Sequence, residues 1–157
     1  ETIQIDYDPG QISYAELLDV FWTGHDPTRP AWKRQYMSAI FFHNEEQKRL
    51  ALETRYRKAA TMKRKIITEI IPFTGFYLAE AYHQKYYLQQ VPDLLGEFRS
   101  IYPAAHDFIN STAAARVNGY VGGYGSPEIL KTEIDSLGLS PAGNKKLLES
   151  VRVRRSG

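Results

Sequence analysis

The feature that most constrains this chain's fold is a polar, capped helical segment set between two short β-forming runs. Tyr36-Met37-Ser38-Ala39-Ile40-Phe41-Phe42 is an apolar, aromatic-rich stretch of strand length. Asn44-Glu45-Glu46-Gln47 then offers a capping box, in which two side chains satisfy backbone N–H groups that a helix start leaves unpaired. The helix it opens is expected to reach about Ala60, with Leu52, Tyr56 and Ala59 on its buried stripe. Residues 65–71 alternate with isoleucines and read as a further strand. Such alternation implies an α+β chain, a mixed sheet with helices on one side.

The segments around this unit extend the same pattern. Glu1-Thr2-Ile3-Gln4-Ile5-Asp6-Tyr7 alternates as a half-buried strand does, and a strand there needs a pairing partner. A native domain rarely opens in mid-strand, so residues preceding Glu1 are expected in the parent protein. Asp8-Pro9-Gly10 marks a turn, and Ser13-Tyr14-Ala15-Glu16 is a capping box. The helix after it carries Leu17, Val20 and Phe21 at helical spacing and should end near Trp22. Two prolines keep residues 24–30 irregular. Gly75-Phe76-Tyr77 begins a turn into a helix expected to contain Glu80, His83, Gln84 and Tyr87.

From about residue 92 the composition turns helical, with Leu94, Phe98 and Ile101 on one face. Ser126-Pro127-Glu128 and Ser140-Pro141 each set a capping residue before a proline at the first helical position, and Gly138 stands where a helix stop belongs. Three or four short helices are expected. The division is residues 1–90 as an α+β part and 91–157 as a helical extension packed on it.

Function classes narrow by composition. The 157 residues suffice for one domain with a real core. No apolar run approaches the roughly 20 residues that span a bilayer. A net charge of +2 gives no reason to expect nucleic acid or an anionic membrane as a partner. There is no cysteine, so these residues supply no disulfide, no thiolate metal site and no thiol nucleophile.

The functional-looking residue types concentrate in Trp22, His25 and Asp26, in Gln35-Tyr36, and in Phe76-Tyr77-x-Ala79-Glu80-x-x-His83-Gln84. Aromatics, tyrosine hydroxyls and imidazoles at loop and element ends are where binding groups usually sit. Such aromatics near turns are more often satellite core, however, and a histidine like His83 is more often a structural hydrogen-bonder. Glu80-x-x-His83 has the spacing of carboxylate di-metal sites, but those need the motif twice plus two further glutamates, so no metal is expected. The glycine-rich run at 119–125 lacks the preceding strand and residue order of a phosphate loop and reads as a flexible connection between helices. The basic residues at 55–65, with Arg152, Arg154 and Arg155, read as a solvated face. Ser13, Ser126 and Ser140 are all explained as caps, and no Gly-x-Ser-x-Gly elbow exists.

Four collinear motifs carry a resemblance. They are Tyr7-Asp8-Pro9…Ile12-Ser13-Tyr14-x-Glu16-Leu17-Leu18-x-Val20-Phe21-Trp22…His25-Asp26-Pro27; Gln35-Tyr36-x-Ser38-Ala39-Ile40; Ile67-Thr68-Glu69-Ile70; and Phe76-Tyr77-x-Ala79-Glu80-x-Tyr82-His83-Gln84. Together, over about residues 1–88, they resemble A-type peptide methionine sulfoxide reductases. The tail, with Ala113-Ala114-Ala115-Arg116-Val117-Asn118-Gly119-Tyr120, is similar to the extension of a divergent long branch of that family.

The resemblance implies an incomplete ferredoxin-like core and thiol-dependent reduction of methionine S-sulfoxide, free or in proteins. In that chemistry a cysteine thiolate attacks the sulfoxide sulfur, the oxygen is protonated as it departs, and the sulfenic acid formed is returned to the thiol by other thiols, usually ending with thioredoxin. By motif, Glu1 looks like the acid that protonates the sulfoxide oxygen, and Tyr36 like the tyrosine that hydrogen-bonds to it. Trp22, His25, Asp26, Phe76, Tyr77, Glu80 and His83 resemble substrate-binding or supporting positions. No bound cofactor is implied; the expected partners are a methionine sulfoxide substrate and a thioredoxin-like reductant, and the expected state is a monomer, with the cytoplasm as default compartment.

Three departures qualify the likeness. The Gly-Cys-Phe-Trp nucleophile motif is absent and would lie before Glu1. Ala31-Trp32-Lys33-Arg34 stands where the family has Asp-His-Gly-Thr, removing an acidic side chain and adding bulk and charge. No cysteine in the tail can act as a resolving thiol. The alternative is a catalytically inactive, reductase-like binding or interaction protein.

Overall fold

The structure is a computed structural model that describes residues 2–155, with side chains described through Val151. Residues up to Tyr77 form one compact unit and those from Leu78 a second, each with its own apolar cluster.

In the first unit, the Ser13 capping box forms as the sequence implies. The Glu16 N–H donates to Ser13 Oγ at 3.2 Å, and the Ser13 N–H donates to Glu16 Oε2 at 2.7 Å. Helix α1 (Tyr14–Thr23) follows and is capped by Gly24. Its buried face is Leu18 and Trp22, with Tyr14 and Phe21 packed partly against them. The expected stripe of Leu17, Val20 and Phe21 is therefore rotated, and Val20 is 64% exposed. Tyr14, Leu18 and Trp22 follow at i, i+4 and i+8, and turning that line inward buries the large indole.

Strand β1 (Ala39–Phe42), helix α2 (Glu45–Ala60) and strand β2 (Glu69–Pro72) come next. The strands pair in parallel from Ala39↔Glu69 to Phe42↔Pro72, a geometry that needs a crossover such as α2 provides. The α+β class holds. Among the described residues the sheet consists of these two parallel strands rather than a mixed set. Both are shorter than expected. Residues Arg34–Tyr36 turn into a 3-10 helix, and the Ile67 N–H donates to the Pro27 carbonyl at 2.9 Å instead of joining the ladder. Residues 2–7 form no strand. Ile3 is 80% exposed and Ile5 52%, since an alternating run stays open where no described ladder pairs with it.

In α2, Asn44 Oδ1 accepts the Gln47 N–H, whereas the Gln47 side chain reaches past the cap to the His43 N–H. The expected stripe of Leu52, Tyr56 and Ala59 is not the buried one. Ala51 and Thr54 are buried and Tyr56 is 66% exposed, because small residues let α2 approach α1 closely.

In the second unit, residues 81–87 are turns and not the expected helix around Glu80, His83, Gln84 and Tyr87. Side chains compete for the backbone there. Gln84 Nε2 donates to the Ala79 carbonyl, and Gln89 Nε2 to those of Ala81 and Gln84. Lys85 at φ 51° interrupts any right-handed run.

A 3-10 turn at Leu88–Gln90 leads to α3 (Pro92–Ile101), α4 (Ala105–Asn110), α5 (Thr112–Val121) and α6 (Pro127–Glu133). A second 3-10 turn, Ile134–Leu137, precedes α7 (Pro141–Arg155). The described tail thus holds five α-helices where three or four were expected. Leu88, Leu94, Phe98, Val117, Leu130 and Leu147 are fully buried at its centre. Leu94 and Phe98 match the expected face, while Ile101 is 43% exposed. Ser126 Oγ accepts from Ile129 N–H and Ser140 Oγ from Gly143 N–H, each at 3.1 Å, so both serines cap as expected.

The glycine-rich run starts within α5 and its later residues connect α5 to α6. Gly119 lies inside α5, Gly122 caps it, and Gly125 at φ 126° presses against the Tyr120 ring, where an added Cβ would stand 2.7 Å away.

Candidate functional site

The C-terminal end of α1 fixes His25. Its Nδ1 lies 2.8 Å from the Phe21 carbonyl one turn back, so Nδ1 carries the proton and donates. Nε2 is then the acceptor facing the Thr68 hydroxyl at 3.4 Å, with Thr68 itself only 2% exposed. The imidazole also packs against Phe21 at 4.6 Å and stacks on Trp22 at 6.1 Å between ring centroids. Trp22 is buried, and its indole Nε1 has no hydrogen-bond partner among the described residues.

Asp26 closes the turn after the helix. Its Oδ1 accepts the Thr28 N–H at 2.9 Å and the Thr28 hydroxyl at 2.8 Å. Those bonds, the backbone one first, hold its carboxyl below the ordinary carboxylate range, and Arg64 and Arg29 add smaller contributions. Residues 25–28 and 62–64 line an open recess of about 450 Å³. With Oδ1 engaged twice by Thr28, Asp26 shapes the loop, and His25 is an oriented ring.

Tyr36 belongs to a different aromatic pair. It ends the 3-10 turn and stacks on Trp32 at 5.1 Å with an interplanar angle of 21°. It is exposed.

The remaining expected positions are spread. Phe76 and Tyr77 are exposed at the end of the first unit, Tyr77 at 93%. Glu80 and His83 belong to the second unit, where His83 Nε2 lies 3.9 Å from Glu80 Oε2 and its ring is 4.2 Å from that of Tyr82. Glu1 lies outside the described residues. So the structure groups Trp22, His25 and Asp26, and it seats Tyr36 on Trp32. Among the described residues no three His, Asp or Glu side chains converge as metal ligands.

Two partners escaped the sequence reasoning. Thr68 orients His25, and its only signal was a small polar residue directly after isoleucines in an apolar run. Trp32 registered only as a bulky departure, although it supplies the face on which Tyr36 rests.

An oriented histidine after α1, a parallel strand pair and an exposed tyrosine ahead of β1 belong to a small α+β unit, and a helical unit follows it in sequence. The family model described as peptide methionine sulfoxide reductase matches residues 1–116, and that of the selenoprotein methionine sulfoxide reductase A helical domain matches residues 106–149. The chain belongs to the peptide methionine sulfoxide reductase family.

It is 44% identical over 147 residues to a peptide methionine sulfoxide reductase of Drosophila melanogaster, covering 90% of this chain and 57% of that protein. It is 48% identical over 94 residues to peptide methionine sulfoxide reductase MsrA of Methanosarcina acetivorans, covering 55% of this chain and 50% of the relative. Peptide methionine sulfoxide reductase A1 of Arabidopsis thaliana is 44% identical over 91 residues, 55% of this chain and 45% of the relative. The archaeal and plant matches each cover 55% of this chain, whereas the fly match covers 90% and so includes part of the helical tail. The chain spans about half the length of these curated relatives.

Proposed function

We infer that the protein containing this chain is a thiol-dependent peptide-methionine (S)-S-oxide reductase whose nucleophilic cysteine lies outside these 157 residues. The observation that carries this reading is the family match across residues 1–116. The cysteine-free composition assigns the chain the supporting part of the chemistry.

In this reading the thiolate attacks the sulfoxide sulfur and the S–O bond breaks as the oxygen is protonated. The oxygen leaves as water, and a water molecule then adds to the cysteine sulfur of the resulting sulfur–sulfur sulfonium, which releases methionine and leaves the cysteine as a sulfenic acid. A second thiol attacks that sulfenic sulfur and expels water, and an external dithiol of the thioredoxin type reduces the resulting disulfide. Glu1 is the proton donor and Tyr36 the hydroxyl that bonds the departing oxygen. Trp22 and His25, with Asp26 shaping the adjoining turn, hold the end of α1 rigid behind the pocket. By resemblance Phe76 and Tyr77 are supporting positions of the first unit and Glu80 and His83 supporting positions carried by the second, and residues 91–157 form a helical extension.

The test is turnover by the full-length protein with dithiothreitol. It should reduce methionine S-sulfoxide, free and in a peptide, and leave the R epimer untouched. The 157-residue chain alone should show no turnover. A full-length protein inactive on both epimers would overturn the assignment.

A further inference from the structure

The segment at 28–36, Thr-Arg-Pro-Ala-Trp-Lys-Arg-Gln-Tyr, carries three cations and no carboxylate. It is also where an exposed aromatic platform stands. Trp32 is 75% exposed and Tyr36 42%, and the two rings stack. The Lys33 ammonium sits 4.7 Å from the Trp32 ring centroid, in cation–π range. The platform is held from below by its own backbone. The Tyr36 N–H donates to the Lys33 carbonyl at 3.0 Å and the Met37 N–H to that of Arg34 at 3.1 Å. Little ordering is left for a ligand to impose.

The charge on this platform is unanswered. Among the described residues of the first unit, the Lys and Arg ion pairs are Lys48–Glu45, Arg49–Glu46 and Arg49–Glu53, all on α2. Asp26, the nearest acid in sequence, accepts from Thr28 and feels the Arg29 and Arg64 charges, and it forms no ion pair with Lys33 or Arg34 among the described residues. Lys33 and Arg34 are exposed, and Lys33 stands over the large apolar ring of Trp32, so cation and apolar surface meet at one exposed place.

We propose that Trp32, Lys33 and Arg34 form a specificity surface that binds the residues flanking an oxidised methionine and selects peptides in which those residues are Asp or Glu. The inference rests on the reductase reading, in which the Tyr36 hydroxyl meets the sulfoxide oxygen. A peptide whose sulfoxide reaches Tyr36 lays its neighbouring residues across the ring stacked on Tyr36 and under the cations beside it. Charge complementarity then favours carboxylates, and it does so more in selectivity and encounter rate than in raw affinity.

The experiment uses the full-length protein and two oxidised peptides identical except for Asp or Lys on both sides of the methionine sulfoxide. Dithiothreitol is the reductant, so that no protein reductant competes for the basic surface. The acidic peptide should have a kcat/KM about fivefold higher, a preference of the size exposed ion pairs supply. High salt should erase it. The double variant K33E/R34E should invert the ratio while leaving reduction of free methionine S-sulfoxide unchanged. Trp32→Ala should raise KM for both peptides.

Equal kcat/KM for the two peptides, or a ratio unmoved in K33E/R34E, overturns the proposal. Fluorescence anisotropy with the same two peptides, labelled, separates it from the reductase assignment. If no sulfoxide is turned over, the assignment fails by itself, and the surface is still decided by whether the acidic peptide binds more tightly (supporting it) or the two bind equally (overturning it).

Discussion

The Thr68 hydroxyl lies 3.4 Å from His25 Nε2 and joins residues 43 positions apart in sequence. One is in the loop that follows α1 and the other stands immediately before β2. The contact ties the end of the first helix to the strand pair, while Nδ1 on the other side of the ring donates to the Phe21 carbonyl.

Thr68→Val keeps the shape of this nearly inaccessible side chain and removes only the hydroxyl. Stability should fall by about 1 kcal/mol, the net value of one hydrogen bond whose partner is left unsatisfied. Urea unfolding monitored on Trp22 measures it. An unchanged midpoint would mean that the contact contributes nothing.

Acidification should loosen the start of α1. The Glu16 carboxyl is held below its ordinary value, first by the Ser13 hydroxyl and then by the Ser13 N–H. A carboxyl depressed in the folded state stabilises fully above its unfolded value, near about 4.3, and loses that contribution as pH falls through the folded value. Helicity should therefore decline at the acid end of a titration. In Ser13→Ala the Glu16 carboxyl should titrate at higher pH, nearer the ordinary range, as read by carboxylate NMR. An unaltered titration in that variant would contradict the capping account.

Gly125→Ala should cost more than Gly138→Ala. Both glycines have positive φ, 126° and 76°, which alone disfavours any residue with a Cβ. At Gly138 the nearest atom to an added Cβ is the Ile101 side chain at 3.9 Å, an ordinary contact. At Gly125 the Tyr120 ring is 2.7 Å away, and Tyr120 is held by its hydroxyl on Glu133 at 2.7 Å. Losses of about 1 kcal/mol for Gly138→Ala and about 3 kcal/mol for Gly125→Ala are expected. Paired denaturation curves give the comparison, and equal losses would show that the ring yields freely.

Tyr36→Phe retains the stack on Trp32 and deletes only the hydroxyl. If that hydroxyl bonds the departing oxygen, kcat of the full-length protein should fall about a hundredfold with KM little changed. A fall confined to KM would instead make Tyr36 a binding surface.

Local signals were legible where the chain satisfies itself locally. The Ser13 box, the Asn44 cap, the Ser-Pro starts of α6 and α7 and the stop at Gly138 each involve groups within four residues, and each stands as the sequence implies. Burial faces were less legible. On α1 and α2 the inward face turned on which neighbour each helix meets, so Trp22 and Ala51 went in while Val20 and Tyr56 stayed out. The expected helix at 75–87 failed because glutamine side chains there bond to backbone carbonyls, and no periodicity encodes that competition.

The sequence by itself determined the family, through four motifs in order, and the α+β class, through capped helices set between short β-forming runs. It also determined that no thiol is available in these residues. Only the tertiary structure decided what the candidate site residues touch. It oriented His25 through Thr68 and stacked Tyr36 on Trp32, with the Lys33 ammonium over the Trp32 ring. Spacing along a chain fixes contacts within a turn or two of helix. The Thr68 contact spans 43 positions, and it exists only because α1 and β2 pack in one unit.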